Sequence, residues 1–403
     1  METEKVIIDE YIFDPNGDTL YILKNPDKPI TIDLSGGKKR SLPSSDPPKS
    51  ASKRVRTSSG EYVQPASDSF VYGPPDEVHC KVSGSHLALA SPVFRTMISG
   101  SWSESSIMVA NGTQEGSLRQ LTSSEWDSEA ICIMFHIMHN RYKSVPRGVG
   151  LKLLTSIATV ADYYKCHEIF DIFLDEWISV LKRENSVPSR TVFGEDVVRW
   201  LSIAWVFART DIFDLVSETI VRHSTGPILV PDLPVAPALG MLEDKRQELV
   251  SKLLVYVARI QKALCLNQTQ CTMPECSTML LGTLVTAMQP FEHLKDEEKR
   301  PKDGYSLAKI MEALTKHRKP YWAAIRHNHA GRPEPAVHSC SLNEFLQRPL
   351  RKIETELKQQ VYNNITKALG TSAPGPIHRW LDPALTDPIR RVEERPKAAL
   401  PPA

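Results

Sequence analysis

Cys265, Cys271 and Cys276 form a C-x5-C-x4-C array, the first place in this 403-residue chain to look for metal chemistry. Structural zinc sites use four ligands and commonly pair cysteines as C-x2-4-C. Here the spacing is wider, and the nearest later donor is His293. The array therefore predicts buried thiols near helix ends, with no metal site. His327 and His329 would share a face if extended, as metal-ligating pairs do. No carboxylate pattern accompanies them, which predicts a polar loop. Among nucleophiles, Ser91 sits in the apolar stretch "HLALASPVF" with no evident base. The chain contains no G-x-S-x-G, H-E-x-x-H, G-x-x-x-x-G-K-[ST] or G-x-G-x-x-G pattern. The expectation is a non-enzymatic protein with no catalytic, cofactor or metal residues.

A different kind of chemistry is offered by Lys38-Lys39-Arg40 and Lys53-Arg54-Val55-Arg56, which flank a spacer, residues 41–52, of Ser, Pro and mostly small polar residues. Two cationic clusters on a flexible spacer suit the two acidic grooves of an import receptor. Lys38, Lys39, Arg40, Lys53, Arg54 and Arg56 are thus candidate residues of a bipartite nuclear-import signal. The competing expectation is a solvated basic linker. Phosphorylation of the neighbouring serines would reverse the local charge. An import signal implies a nuclear or nucleocytoplasmic protein.

The rest of the chain is electrostatically neutral. Lys and Arg total 49 against 48 Asp and Glu, a net charge of +1. Any electrostatic function must be local. The basic segment permits non-specific phosphate contact, but no zinc-finger pair or basic zipper is present, so sequence-specific nucleic-acid binding is not expected. No apolar run approaches the ~18–20 residues that cross a bilayer. The seven cysteines are scattered and odd in number, which predicts reduced thiols.

The elements that would position these residues follow from periodicity. Asn16-Gly17-Asp18 is a turn and Thr19 to Leu23 a short strand. Residues from about 35 to 69 are rich in Gly, Ser, Pro, Lys and Arg, which predicts disorder. Val78, Cys80 and Val82 alternate with polar neighbours as a half-buried strand does. Leu87, Ala90, Phe94 and Met97/Ile98 then fall at helical spacing. "SLRQLTS" is a further strand, and Asp127 caps a helix with an apolar stripe through Ile131, Met134 and Met138. Helices with Leu154, Ile157 and Ala161, and with Phe170, Leu174, Trp177 and Leu181, come next. Trp177, Trp200 and Trp205 lie on apolar faces and are assigned to the core. Ser341-x-x-Glu344 has a capping-box pattern, and Pro349 suits the first turn of a helix running to Gly370. One small sheet followed by helices is an α+β order.

Two of these stretches carry a resemblance. Leu87, Ala88, Ser91, Pro92 and Phe94, and later Ala161, Asp162, Tyr164 and Cys166, resemble the paired signatures of the BTB/POZ family. Asp14, Pro15, Gly17 and Asp18 resemble the opening strand of its filamentous-fungal members. The resemblance covers about 14 to 181. It departs from animal members in having Ser83 where a His is common, with His86 displaced next to the Leu.

The resemblance implies a BTB/POZ fold, a small sheet flanked by helices, over 1–183 and interrupted by the basic insertion. An all-α region over 186–370 and a disordered tail over 371–403 would follow. It also implies a homodimer packing its first helix and strand edge against a twofold mate, with Leu87, Leu89, Val93, Phe94 and Met97 at the interface. An alternative role is substrate adaptor for a cullin-type ubiquitin ligase, which uses an apolar-x-acidic strand motif. Here the matching stretch is Leu118-Arg119-Gln120, with Gln120 in place of the acid. A nuclear, transcription-associated scaffold is the third class.

Overall fold

The computed structural model describes residues 8–35, 75–99, 107–108, 118–184, 192–268, 271, 273–295, 303–317, 323–327, 333–337, 340–359 and 361–368. The basic clusters from Lys38 to Arg56 and the tail over 371–403 lie outside the described residues. The fold is mixed α and β. One five-stranded sheet is built from β1 (Ile8–Ile12), β2 (Thr19–Lys24), β3 (Glu77–Val82), β4 (Ile107–Met108) and β5 (Leu118–Ser124). Its order is β1-β3-β2-β5-β4. β2 and β3 are antiparallel, while β1 runs parallel to β3 and β5 parallel to β2.

Register explains which side of the sheet is buried. Tyr21 faces Cys80 and Leu121, and Thr19 faces Val82, so the alternate positions of three strands form one apolar face. Tyr21, Leu23, Val78, Cys80, Val82 and Leu121 are all buried there. The turn between β1 and β2 needs a glycine: a Cβ on Gly17 would lie 2.5 Å from the Val82 carbonyl oxygen. β1 is absent from the sequence-based expectation. Its residues, Ile-Asp-Glu-Tyr-Ile, do not alternate cleanly, and all five are exposed.

Among the described residues of this half are the α-helices α1 (Gly84–Ala90), α2 (Pro92–Ser99), α3 (Ser128–Met138), α4 (Leu151–Tyr164) and α5 (Asp171–Arg183). Asp127 caps α3 as predicted, accepting the Ala130 N–H at 2.9 Å. Trp177 on α5 is buried, and its indole N–H donates to the Pro146 carbonyl at 2.8 Å.

The helices that follow are α6 (Glu195–Val206), α7 (Thr210–His223), α8 (Ala236–Cys265), α9 (Pro274–Met288), α10 (Leu307–Thr315), α11 (Leu342–Leu357) and α12 (Tyr362–Ala368). They do not stand apart from the first half, because α6 packs on α4 and the buried apolar residues form one continuous cluster. Asp33 and Leu229 form a two-way backbone bridge, and the Thr31 N–H donates to Asp232 at 3.1 Å. Within this half, Arg222 of α7 makes a bidentate pair with Glu354 of α11 at 2.7 and 2.8 Å. Asp214 accepts the Val361 and Tyr362 N–H groups, tying α12 to α7.

Two expectations are corrected here. The region after 186 is not all-α: β6 (Ala323–His327) and β7 (Pro333–Val337) pair as an antiparallel hairpin. A two-stranded ribbon consists only of edges, where prolines such as Pro333 and Pro335 are tolerated. Pro349 does not open a helix but lies inside α11, which starts at its Ser341 cap. Among the described residues, no helix is long and apolar enough to cross a membrane.

Candidate interaction surface

The residues of the two sequence signatures meet in space. Ser91, fully buried, donates from Oγ to the Tyr164 carbonyl at 2.5 Å and accepts the Phe94 N–H at 3.1 Å. It thereby caps α2, with Pro92 at the first helical position. Phe94 stacks on Tyr164 with ring centroids 4.2 Å apart. The Tyr164 hydroxyl lies 2.9 Å from that of Tyr21, which accepts from Ser123 at 2.5 Å. Burial raises both tyrosines far above their ordinary pKa, so they remain neutral hydrogen-bonding groups. Past Tyr164, Lys165 takes a left-handed conformation, and the Cys166 N–H returns to the Ala161 carbonyl at 3.1 Å. Ser91 therefore serves packing, its hydroxyl bonded to these two backbone groups.

Asp18 fixes the start of α1. Its carboxylate accepts the Gly84 N–H at 2.7 Å and the Thr19 hydroxyl at 3.1 Å, with Arg119 3.7 Å away. Burial alone would raise its pKa; the bonds from Gly84 and Thr19 and the Arg119 charge outweigh that and hold it low. Arg95 closes the other end, donating to the Ala88 carbonyl at 3.0 Å. α1 is a short helix pinned at both ends.

The structure divides the five expected interface residues. Leu87 and Phe94 are fully buried within the chain and present nothing to a partner. Leu89 is 79% exposed, while Val93 and Met97, four and eight residues on, are half-buried. The reason is geometric: helical spacing identifies an apolar stripe without saying whether its own sheet or another molecule covers it. Here α2 and α3 pack against α1, and Leu87 is sealed within the chain.

β1 adds residues that the sequence did not single out. Ile8, Tyr11 and Ile12 are 43%, 43% and 60% exposed on an edge strand. Phe13, at its end, meets His139 of the α3 terminus with ring centroids 6.0 Å apart, and His86 of α1 meets His139 at 5.1 Å. Phe13 and α1 thus adjoin the same histidine. His139 Nε2 accepts the Ser83 N–H at 2.9 Å, so its proton sits on Nδ1, which donates to the Phe135 carbonyl at 2.8 Å. Burial above all lowers the pKa of His139, the Phe135 bond and Asp14 oppose it, and His86 and Arg141 add to the lowering. Burial, with Arg141, lowers His136 as well.

On β5, strand alternation places Leu118 and Gln120 on the open side of the sheet and Arg119 on the buried side, where it reaches Asp18. No cysteine is in a disulfide. Cys265 is exposed at the end of α8, whereas Cys271 and Cys276 are joined by Cys340, all three Sγ atoms lying within 4.8 Å of one another. Cys340 was not signalled by the sequence, being 64 residues from Cys276. His327 lies on β6 and His329 outside the described residues. No protein-family model matches the chain, and no curated protein or solved structure does either.

Proposed function

We propose that this protein is a non-enzymatic interaction module that self-associates as a homodimer and recruits partner proteins, in the manner its BTB/POZ resemblance implies. The observations that carry the reading are the exposed Leu89 on α1 and the exposed Ile8, Tyr11 and Ile12 on edge strand β1. Single exposed apolar residues are ordinary, but an unpaired strand edge that carries three of them is a surface that association covers.

Charge favours a second copy as the occupant. β1 carries Asp9 and Glu10, and α2 carries the exposed Arg95. A twofold mate that lays β1 of one chain on α1–α2 of the other brings these charges together twice, since both contacts recur under the symmetry. Sedimentation equilibrium of the full chain at micromolar concentration tests this, with a concentration-dependent dimer as the expected result. A clean monomer sinks the reading.

The adaptor role is a second reading, supported by the placement of Leu118 and Gln120 on the sheet's open side. Co-purification of a cullin with the tagged protein, retained when deneddylation is inhibited, is the result it requires.

A further inference from the structure

Cys271, Cys276 and Cys340 come from two distant parts of the chain and converge where α9 and α11 begin. Cys276 is in the first turn of α9, and its N–H donates to the Met273 carbonyl at 3.1 Å. Cys340 immediately precedes Ser341, the cap of α11. Cys271 lies on the α8–α9 connection, which is fastened by the Ser277 hydroxyl donating to Asn267 at 2.6 Å. Cys276 is buried and the other two are half-buried. No disulfide joins any pair.

We propose that these three thiols bind a thiophilic divalent cation of the zinc type. The distances fit. A tetrahedral ion with metal–sulfur bonds of about 2.3 Å needs its sulfurs about 3.8 Å apart. The three Sγ atoms already lie within 4.8 Å of one another, so each pair has at most about 1 Å to close. Burial, with the neighbouring thiols, pushes Cys276 up to about 12, and burial raises Cys340, so ligation has to displace their protons. Three thiolates leave one position of a tetrahedral ion for water or another donor.

The binding step involves no oxidation. Three S–H groups release three protons to solvent as three metal–sulfur bonds form, leaving a thiolate complex of one net negative charge with the dication. The consequence is a clip: the ion would fix the start of α11 to the start of α9 across the 64 residues that separate Cys276 from Cys340. Metal binding would then be part of the folding free energy of this half of the chain.

The full chain, stripped with a chelator under reducing conditions, is titrated with Zn2+ and, in parallel, with Co2+. One equivalent of Zn2+ is expected, together with thiolate-to-cobalt charge-transfer absorption. Cys340→Ser and Cys276→Ser should weaken Zn2+ binding by at least about tenfold, since even supporting residues around metal ligands cost that much. Cys265→Ser, outside the cluster, should bind as the parent does. Because a variant can fail to fold, alkylation of the unaltered chain gives a second measurement: Zn2+ should protect Cys271, Cys276 and Cys340 and leave Cys265 reactive. The proposal is overturned by sub-stoichiometric binding, by binding that survives Cys340→Ser, by absent protection, or by a disulfide within the trio that Zn2+ does not prevent.

Discussion

If the chain forms the proposed dimer, replacing Leu89 with Asp should split it without unfolding the chain. Leu89 is 79% exposed in the single chain, so it contributes little to its own fold. Full burial of a leucine contributes about 1.5–3 kcal/mol, so covering the exposed four-fifths contributes roughly 1.2–2.4 kcal/mol. Twofold symmetry doubles this to roughly 2.4–4.8 kcal/mol per dimer. At about 1.4 kcal/mol per decade, the dissociation constant should rise between about fifty- and three-thousand-fold. The new carboxylate would also face the acidic Asp9 and Glu10 of the mate's β1, which pushes toward the upper figure. Sedimentation equilibrium measures the constant, and circular dichroism with a melting curve shows that the fold persists. A folded Leu89→Asp protein whose dissociation constant stays within about threefold of the parent's refutes the assignment of this face. Leu87→Ala would not discriminate, because a fully buried leucine costs about 2–5 kcal/mol of the chain's own stability.

Ser91→Ala should lower stability by about 2–4 kcal/mol in denaturant unfolding, from a lost cap of about 1 kcal/mol and an orphaned Tyr164 carbonyl of about 1–3 kcal/mol; a loss under about 0.5 kcal/mol contradicts the account. Acidification should destabilise the chain through His139 and His136. Both have pKa values below the ordinary 6.5 when folded, so their contribution is full above about pH 6.5 and is lost as pH falls through the folded values. A melting temperature that falls less from pH 7 to pH 5 in His139→Gln than in the parent, with the remaining fall left to His136, would attribute a share to His139; equal falls in both would not. Deleting Gly36 to Gly60 roughly halves the β2–β3 connection and changes closure entropy by only about 0.6 kcal/mol. Stability should hold while a fluorescent fusion leaves the nucleus; a fusion that stays nuclear removes the import reading.

Local chemistry was legible where one residue dictated geometry. Asp127 marked a helix start, and the alternation of Val78, Cys80 and Val82 marked a strand with one buried face. Non-local placement was not. The stripe of α1–α2 gave Leu87 and Leu89 equal weight, although one is sealed and the other open. β1 escaped because Asp9 and Glu10 interrupt its apolar residues, and only pairing with β3 makes it a strand. Cys340 joins Cys271 and Cys276 through the packing of α9 and α11, which spacing along the chain does not encode. Pro349 suits a first helical turn, but Ser341 upstream sets the boundary of α11.

The bridge between Asp33 and Leu229 bears on synthesis. Two residues 196 positions apart exchange backbone hydrogen bonds at 2.9 and 3.0 Å. On the ribosome, the segment after β2 must wait for that partner to be made, even though the sheet it leaves can already assemble once β5 has emerged. At about 5–20 residues per second, the interval between Ser124 and Leu229 lasts roughly 5–20 s. Within it, from Tyr164 to Val206 and for roughly 2–8 s, the face of α4 that α6 later covers stays open to solvent and to chaperones. A nascent chain stalled before α6 should therefore hold a formed sheet and an uncovered α4, the species most exposed to chaperone capture.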